Sequence, residues 1–441
     1  MVTASALASQ QAAVTNRQKV VAIIASCLGW SLDLFDLFIL LYVAPVVGEL
    51  FFPSSVPTLS LAAVYASFAV TLLMRPVGSA IFGSYADRHG RRGAMITAVT
   101  GVGISTALFG ALPTIQQAGV IAPVLFLILR LVQGVFVGGV VASTHTIGTE
   151  SVPPHWRGVM SGFIGGGGAG IGALLASLAF LITSTLFPGP AFAVWGWRVM
   201  FFSGILSAVF GLAIFKALEE SPFFKELSAK RAQARTPHAP LRALFSREHL
   251  PVLLVNLLIT FGGGAGYYLT SGYMPAFLKV VNKVPAAQAS SILIAASAVV
   301  IVAATLTGYI SDRIGRKKTF IIVGALCLVL LPLLYLGMAA ATDFSAIFAY
   351  AMAITFLGNA GYAPILIFLN ERFPTALRAS GTGLSWNIGF ALGGTMPTFV
   401  SLASGSPQGI PAALAAFTAA IFLLYLIGAA VIPETKGRFV L

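Results

Sequence analysis

Long apolar stretches separated by short polar connections make up most of this 441-residue chain. Each stretch holds about 20 residues with few charges, the length that an α-helix needs to cross the hydrocarbon core of a bilayer. The segment at 183–197 is less regular and is predicted to be a loop or an interfacial segment. The pattern predicts twelve membrane-spanning helices, at residues 20–47, 57–82, 94–112, 121–149, 158–183, 198–216, 251–278, 286–310, 319–338, 344–370, 379–403 and 409–432.

The scarcity of charged residues supports this interpretation. Only 9% of the residues are charged and 58% are hydrophobic, whereas soluble domains carry about 25% charged residues. So few charged side chains cannot cover the surface of a soluble protein of this length. The composition therefore predicts a polytopic, all-α membrane protein.

Basic residues are concentrated in alternate connections between the predicted helices. The connections after helices 1, 3 and 11 contain no Lys or Arg, whereas those after helices 2, 6 and 8 are rich in both. Cytoplasmic loops are enriched in Lys and Arg, so both termini are predicted to face the cytoplasm. This topology also accounts for most of the net charge of +13, and no nucleic-acid partner is needed to explain it.

Two pairs of charged motifs repeat between the halves of the chain. GSYADRHGRR at 83–92 matches GYISDRIGRK at 308–317, and ESVPPHWR at 150–157 matches ERFPTALR at 371–378. Motifs that recur in the same register indicate an internal duplication. With the longest polar stretch placed after six helices, the predicted organisation is a six-helix bundle at 1–215, a cytoplasmic linker at 216–250 and a second six-helix bundle at 251–441.

On these motifs the chain resembles the major facilitator superfamily. The resemblance implies two pseudo-symmetric six-helix bundles that rock about a central cavity, which is lined by the first and fourth helices of each bundle. It implies a monomeric secondary transporter in the cell membrane, most simply the bacterial inner membrane, without enzymatic activity or a cofactor. Charged loop residues would pair when the inner gate is shut and weight that state by a few kcal/mol. The residues assigned to this gating role are Asp87, Arg88, Arg91, Glu150, Arg157, Asp312, Arg313, Arg316, Glu371 and Arg378.

Further stretches, including LLMRPVGSAIFGSYADRHGRR at 72–92 and WGWRVMFF at 195–202, are similar to the metabolite:proton symporter branch. That branch carries mainly organic acids and some zwitterions. Val140 stands where the branch usually has Glu, and the DLFD of the first helix is closer to aromatic-acid and lactate/sialate proton symporters. The resemblance implies proton-coupled symport of a small organic acid and leaves the substrate open.

Four charged residues are predicted to lie within the membrane: Asp33, Asp36, Arg75 and Arg130. Each costs about 3 kcal/mol at the bilayer centre on insertion scales, so such residues are usually functional. The two aspartates are three residues apart and project from nearly one face of the first helix. Arg130 lies at a similar depth and is predicted to reach them, with Asp36 favoured as the proton carrier; a structural ion pair is the alternative. Arg75 is predicted to be structural or interfacial.

Protonation of one aspartate would then release Arg130 to bind a substrate carboxylate in a bidentate manner. His145 could be a second proton carrier, although an interhelical hydrogen bond is the simpler interpretation. Other polar and aromatic residues on the predicted cavity helices are candidates for substrate contact, and packing is the competing interpretation for each. These candidates are Gln133, Asn256, Tyr267, Tyr268, Asn359, Tyr362 and, more marginally, Asn387.

Other functions have less support. No phosphate-binding GxxxxGK[ST] motif and no metal-ligand spacing occur in the sequence, so ATP-driven transport and a metal site are not predicted. The glycine run at 165–172 is predicted to serve close helix packing. A drug:proton antiporter is the first alternative, but GFIGGGGAGIG lacks the proline that is associated with antiporters. A transporter-like sensor is the second, and the chain contains no large soluble domain for it.

Overall fold

Almost every residue described by the computed structural model lies in a helix; the described ranges are 16–89, 91–150, 156–217, 244–373 and 378–437. A helix lies at each predicted span, and we number these α1 to α12. They are α1 (Asn16–Phe51), α2 (Pro57–His89), α3 (Arg91–Ala111), α4 (Ile121–Glu150), α5 (Arg157–Leu186), α6 in three parts (Phe192–Gly196, Trp197–Phe202 and Gly204–Ala217), α7 (Leu250–Val280), α8 (Ala286–Ile314), α9 (Arg316–Ala340), α10 (Phe344–Arg372), α11 in two parts (Arg378–Gly394 and Met396–Ser404) and α12 (Ile410–Val431).

The helices extend a few residues beyond most of the predicted limits, because polar residues at their ends continue the same backbone hydrogen bonding. Within the described ranges, ten helices are long and apolar enough to cross a membrane. The other two are α3, whose apolar part Ile96–Ala111 is shorter, and α11, which is interrupted at Thr395. The uncertain segment at 183–197 divides: α5 ends at Leu186, and α6 begins at Phe192.

In the described part of the chain, three helices contain a wider π turn: Phe163–Gly167 in α5, Phe192–Gly196 in α6 and Tyr268–Gly272 in α7. Such turns insert a residue into the helical ladder and are frequent at functional sites. The turn in α7 directly follows Tyr267, so it sets the direction in which two adjacent tyrosines face.

Glycines bring α5 and α8 into close contact. A Cβ added at Gly162 would lie 2.5 Å from the carbonyl oxygen of Ala304, and one at Gly170 would lie 2.5 Å from Cγ1 of Ile301. Gly166, between them on the same face, also abuts Ala304. The predicted packing role of this glycine-rich segment is confirmed, and we call this contact the α5–α8 seam.

Helices α1 to α6 form one set and α7 to α12 another, which we call the first and second groups; most helices pack mainly within their own group, whereas α5 and α8 pack most extensively on each other. The groups meet along the α5–α8 seam and along a second line of contact between α2 and α11. Residues 218–243, most of the predicted linker, lie outside the described ranges, so the domain limits at 215 and 251 stay a prediction. We call the end of the bundle that carries residues 83–92 and 308–317 the motif end.

Candidate functional site

A buried ion pair joins α1 to α2 where the first group faces the second. Nη2 of Arg75 lies 3.3 Å from Oδ2 of Asp33, and both side chains are almost completely buried. Gly138 of α4 lacks a side chain against the carbonyl oxygen of Arg75, which lets α2 and α4 approach closely and fixes the position of the arginine. Nε of Arg75 and Oδ1 of Asp33 have no hydrogen-bond partner among the described residues.

Arg130, the predicted partner of the aspartates, lies elsewhere. Its Nη1 donates to Oε1 of Gln133 at 2.7 Å, and its guanidinium carbon lies 4.0 Å from the ring centre of Phe109. Arg130 forms no ion pair with any described residue. Similar depth in the membrane was an insufficient criterion, because Arg130 projects from α4 towards α3. The guanidinium on Asp33 is therefore Arg75, and the role of Arg130 in coupling stays a prediction.

Asp36 lies one turn along α1 from Asp33 and faces the interior of the first group. Oγ of Ser207 donates to its Oδ2 at 3.1 Å, whereas Oδ1 has no partner among the described residues. Gly204 of α6 leaves room here, since a Cβ at this position would lie 3.3 Å from Oδ1 of Asp36 and 2.6 Å from Cγ2 of Thr106. Asp36 is thus a buried carboxyl group without a cation at ion-pair distance in the described structure.

Gln133 forms hydrogen bonds inside the first group instead of lining the space between the two groups. Its Nε2 donates to Oγ1 of Thr106 at 2.8 Å while its Oε1 accepts from Arg130. A chain of hydrogen bonds therefore runs from Arg130 through Gln133 to Thr106, and Thr106 borders the same Gly204 position as Asp36. These contacts lead from Arg130 towards Asp36, but the two residues form no direct contact in the described structure.

Three predicted tyrosines of the second group come together opposite the ion pair. The rings of Tyr267 and Tyr362 stack with centroids 5.2 Å apart, and Tyr268 meets Tyr267 edge to face, also at 5.2 Å. The charges of Asp33 and Arg75 act on both Tyr268 and Tyr362. The structure brings these three candidates together, and their predicted contact with substrate stays a prediction.

Sequence reasoning missed three further aromatic residues here. Trp386 stacks on Phe390 at 3.7 Å and meets Tyr362 at 5.4 Å, and Trp30 meets Trp386 at 5.6 Å. Trp30 precedes Asp33 by three residues, a spacing that places both on one helix face and could have identified it. We call the six rings together the aromatic enclosure: Trp30, Tyr267, Tyr268, Tyr362, Trp386 and Phe390.

The three candidate asparagines occupy different places. Asn387 donates to Oγ of Ser79 at 3.4 Å, and Ser79 lies one turn along α2 from Arg75. Asn256 accepts from Nε of Arg372 and lies eleven residues before Tyr267, about 16 Å along the helix. Asn359 donates to Ser271 within the second group. Only Asn387 of the three bridges the two groups.

Charged residues form a network at the motif end of the second group. Nη1 of Arg316 donates to Oδ1 of Asp312 at 2.8 Å, and its Nη2 and Nε donate to the two carboxylate oxygens of Glu371 at 3.1 and 3.2 Å. Thr435 adds a donor to Glu371 at 2.8 Å. A bidentate arginine–carboxylate contact of this kind is among the stronger ion pairs.

One carboxylate of this network reaches the first group. The backbone N–H of Val159, in the first turn of α5, donates to Oδ2 of Asp312 at 2.9 Å. Gly158 makes the approach possible, because any side chain there would collide with that carboxylate. A negative charge at a helix N-terminus is favourable, so Asp312 fastens the two groups together at the motif end.

The residues after α12 also belong to this network, which the sequence did not indicate. Glu434 accepts from the backbone N–H groups of Arg316 and Lys317 at 2.8 and 3.2 Å, and so caps α9. Partial burial alone would raise the pKa of Glu434, but these backbone donors together with that of Lys436 lower it below its usual range. Nζ of Lys436 donates to the carbonyl oxygen of Arg313, whose guanidinium lies over Tyr309.

The remaining predicted gating residues are only partly described. Arg157 begins α5 and is partly buried. The other side chains fall outside the described part of the structure, as does that of His145, so their predicted roles stay predictions; they are Asp87, Arg88, Arg91, Glu150 and Arg378.

Comparison with known proteins agrees with this architecture. The Inner membrane metabolite transport protein YhjE of Escherichia coli (strain K12) is 28% identical over 430 residues, 96% of each chain. The Glycine betaine/proline/ectoine/pipecolic acid transporter OusA of Dickeya dadantii is 29% identical over 395 residues, covering 88% of this chain and 78% of that one. The Alpha-ketoglutarate permease of Escherichia coli (strain K12) is 28% identical and covers 88% of both.

The same fold occurs in solved structures. The proton:xylose symporter XylE bound to 6-bromo-6-deoxy-D-glucose superposes with a TM-score of 0.74 at 17% identity, covering 96% of this chain and 98% of that chain. These relatives are transporters rather than enzymes. The model of the Major Facilitator Superfamily matches residues 20–396 and 259–438. Two six-helix groups, the paired charged loops and this match lead to one conclusion: the chain belongs to the Major Facilitator Superfamily and is a multi-pass membrane transporter of metabolites.

Proposed function

We propose that the protein is a proton-coupled symporter of a small carboxylate metabolite and works by alternating access. The observation that carries the proposal is the buried Asp33–Arg75 pair, which faces aromatic residues of the other group one turn from a second buried aspartate. The names of two relatives support it, since betaine, proline and α-ketoglutarate all contain a carboxylate. None of the relatives named above is a drug exporter, so efflux remains the weaker alternative.

Arg75 is the proposed anchor for the substrate carboxylate. Its contact with Asp33 is a single one at 3.3 Å, and its Nε has no partner in the described structure. A free carboxylate could accept two parallel hydrogen bonds from the same guanidinium, which is a stronger arrangement. Asp33 therefore holds Arg75 in place when the site is empty and yields it when substrate arrives.

Asp36 is the proposed proton carrier. A buried carboxyl group without a cationic partner favours its neutral, protonated form, because an isolated charge in low dielectric is costly. Release of the proton requires a cation, and Arg130 has two N–H-bearing nitrogens, Nε and Nη2, without partners in the described structure. A movement of Arg130 from Gln133 to Asp36 would supply that cation. Proton binding would then be linked to the arrangement of α1, α4 and α6.

Alternating access follows from where the two groups touch. With substrate and proton bound, the central charges are compensated and the groups can rock along the α5–α8 seam and the α2–α11 contact. A membrane potential of 100 mV contributes about 2.3 kcal/mol for each net charge that moves with them. Uptake into proteoliposomes with an imposed pH gradient and a panel of labelled carboxylates tests the proposal directly. Equal uptake of every active compound with and without the gradient would reject proton coupling.

The orientation is part of the proposal: both termini and the motif end face the cytoplasm. A cysteine introduced at Gln116, which is exposed at the opposite end, is expected to react with a membrane-impermeant maleimide in intact cells. A cysteine at Ala232 should react only after permeabilisation. The native Cys27 and Cys327 are buried and form the unreactive background. The reverse labelling pattern would overturn the orientation.

The network at the motif end is proposed to stabilise the state in which that end is closed. Asp312→Asn keeps an acceptor for Val159 but removes the charge that attracts Arg316 and the start of α5. We expect slower transport with nearly unchanged substrate affinity, because Asp312 lies far from the aromatic enclosure. The measurement is initial uptake rate against equilibrium binding. Ser345→Ala, at an exposed hydroxyl of α10, is the matched control; weaker binding with normal cycling would contradict the gating role.

A further inference from the structure

The guanidinium of Arg372, at the motif end of α10, has donors that lack acceptors. Its Nε donates to Oδ1 of Asn256 at 3.2 Å, and its guanidinium carbon lies 5.9 Å from the ring centre of Phe368. No described carboxylate lies at ion-pair distance from Arg372, and the neighbouring Glu371 binds Arg316 instead. The two terminal nitrogens of this partly buried side chain are therefore available to a ligand.

Two fully buried polar groups near Arg372 also lack partners. Asn256 and Ser385 have no exposed surface, and neither Nδ2 of Asn256 nor Oγ of Ser385 has a hydrogen-bond partner among the described residues. Arg372 occupies Oδ1 of Asn256, so the unpaired Nδ2 of the same amide lies beside the guanidinium. Gly389 of α11 lies against Thr260 of α7. Ser385 and Asn256, each one turn closer to the motif end, therefore lie at the same level of these two touching helices.

These three side chains offer donors to a ligand. The guanidinium and the amide nitrogen carry N–H groups, and the hydroxyl can turn its hydrogen towards an acceptor. A buried donor that is left unpaired costs free energy. A carboxylate has two oxygens, so it can accept from a guanidinium and from an amide at once. The positive charge of Arg372 disfavours a cation, and the arrangement therefore fits a small carboxylate.

We infer that Arg372, Asn256 and Ser385 form a second carboxylate site, which binds the transported anion between the central ion pair and the motif end. Asn256 lies about three helical turns before Tyr267, so both residues lie on nearly the same face of α7, about 16 Å apart. The second site thus lies in line with the aromatic enclosure. This inference rests on the proposed carboxylate transport and adds to it a site that is separate from Arg75.

Ser385→Cys places a thiol in this site and allows its charge preference to be measured. The anionic reagent is 2-sulfonatoethyl methanethiosulfonate, whose sulfonate stands in for a carboxylate, and the neutral reagent is ethyl methanethiosulfonate. Labelling rates of the purified full-length protein in detergent are followed by mass spectrometry. The native Cys27 and Cys327 are buried, and the protein without the substitution gives their background rate.

Arg372→Gln in the same protein keeps an amide donor for Asn256 but removes the charge. We expect the ratio of the anionic to the neutral labelling rate to fall at least tenfold. Lys318→Gln is the matched control, because Lys318 is an exposed cation at the same end of the bundle, and it should leave the ratio unchanged. An unchanged ratio in Arg372→Gln, an equal fall in both variants, or no reaction with either reagent would overturn the inference.

Competition identifies the chemistry of the ligand. Sodium acetate should slow labelling by the anionic reagent more than sodium chloride does at the same ionic strength, because a carboxylate accepts two parallel hydrogen bonds from a guanidinium. Equal slowing by the two salts would reject a carboxylate site.

Transport shows whether the second site lies on the path of the substrate. Arg372→Gln should slow counterflow severalfold without weakening substrate binding, and Arg372→Lys, which keeps the charge, should restore most of the rate. Normal counterflow in Arg372→Gln, or equally slow counterflow in both variants, would reject this role. Failure of the inference is distinct from failure of the proposed function. Labelling that ignores Arg372 alongside proton-driven uptake rejects only the second site, whereas labelling that depends on Arg372 without uptake of any carboxylate rejects only the proposed transport.

Discussion

Asp36→Asn should abolish accumulation driven by a pH gradient while leaving exchange of substrate across the membrane intact. The amide mimics a permanently protonated carboxyl group, so the protein can still load substrate and rock between its two states, but it has no proton to release. Asp36 makes one hydrogen bond, from Ser207, and no ion pair in the described structure, so the substitution removes no stabilising charge contact. We expect the concentration ratio in a gradient to fall to about one.

The measurement compares two assays on the same proteoliposomes, counterflow of labelled substrate and uptake under an imposed pH gradient. Ser207→Ala is the matched control, because it removes the hydrogen bond but keeps the titratable group; accumulation should persist with a shifted pH profile. Wild-type accumulation in Asp36→Asn would mean that the proton is carried elsewhere. His145 would then be the next residue to replace.

Arg75→Lys is expected to weaken substrate binding by about 10- to 100-fold, the range of one charge-assisted hydrogen bond. Lysine keeps the positive charge beside Asp33 but loses the planar fork that binds a carboxylate through two parallel bonds. Because the charge is conserved, the buried aspartate is not left unpaired and the variant should fold. Binding is measured by calorimetry with the best substrate from the uptake panel.

Arg130→Lys is the matched control for this prediction. Arg130 lies over Phe109 and bonds Gln133 inside the first group, so we expect its replacement to alter coupling more than affinity. If Arg130→Lys weakens binding as strongly as Arg75→Lys, the carboxylate anchor is not confined to Arg75. A larger loss of substrate affinity for Arg130→Lys than for Arg75→Lys would identify Arg130 as the carboxylate anchor, as its predicted depth in the membrane suggested.

The contrast between these two arginines shows what a sequence can specify in such a protein. Length and hydropathy identify the helices, because each must span the same apolar thickness with its backbone bonded internally. Depth along a helix follows from the rise per residue, and Asp33, Asp36 and Arg130 do lie in helices that are long and apolar enough to cross a membrane. The direction in which a side chain projects depends on how each helix is rotated, and packing decides that. For this reason the sequence predicted only a structural or interfacial role for Arg75 and did not identify its contact with Asp33.

Contacts between distant segments were predicted only in part. The tyrosines of α7 and α10 were identified individually, but Trp30 and Trp386 come from helices at opposite ends of the chain and meet only in the folded protein. Asn256 was a better candidate than Asn387 from the sequence, yet it bonds Arg372 towards the motif end. Glu434 follows the last helix and gave no periodic signal, although its carboxylate caps α9.

The α5–α8 seam has a consequence for the speed of the transport cycle. Gly162 and Gly166 lie against Ala304 there, so a small rotation of one helix on the other displaces few side chains. The α5–α8 seam should therefore contribute little to the activation barrier for movement of the two groups. The activation barrier should then arise where bonds must break, at the Asp312 contact with α5 and at the central ion pair. A bulky residue introduced at Gly166 would press on Ala304, and the temperature dependence of turnover should then steepen.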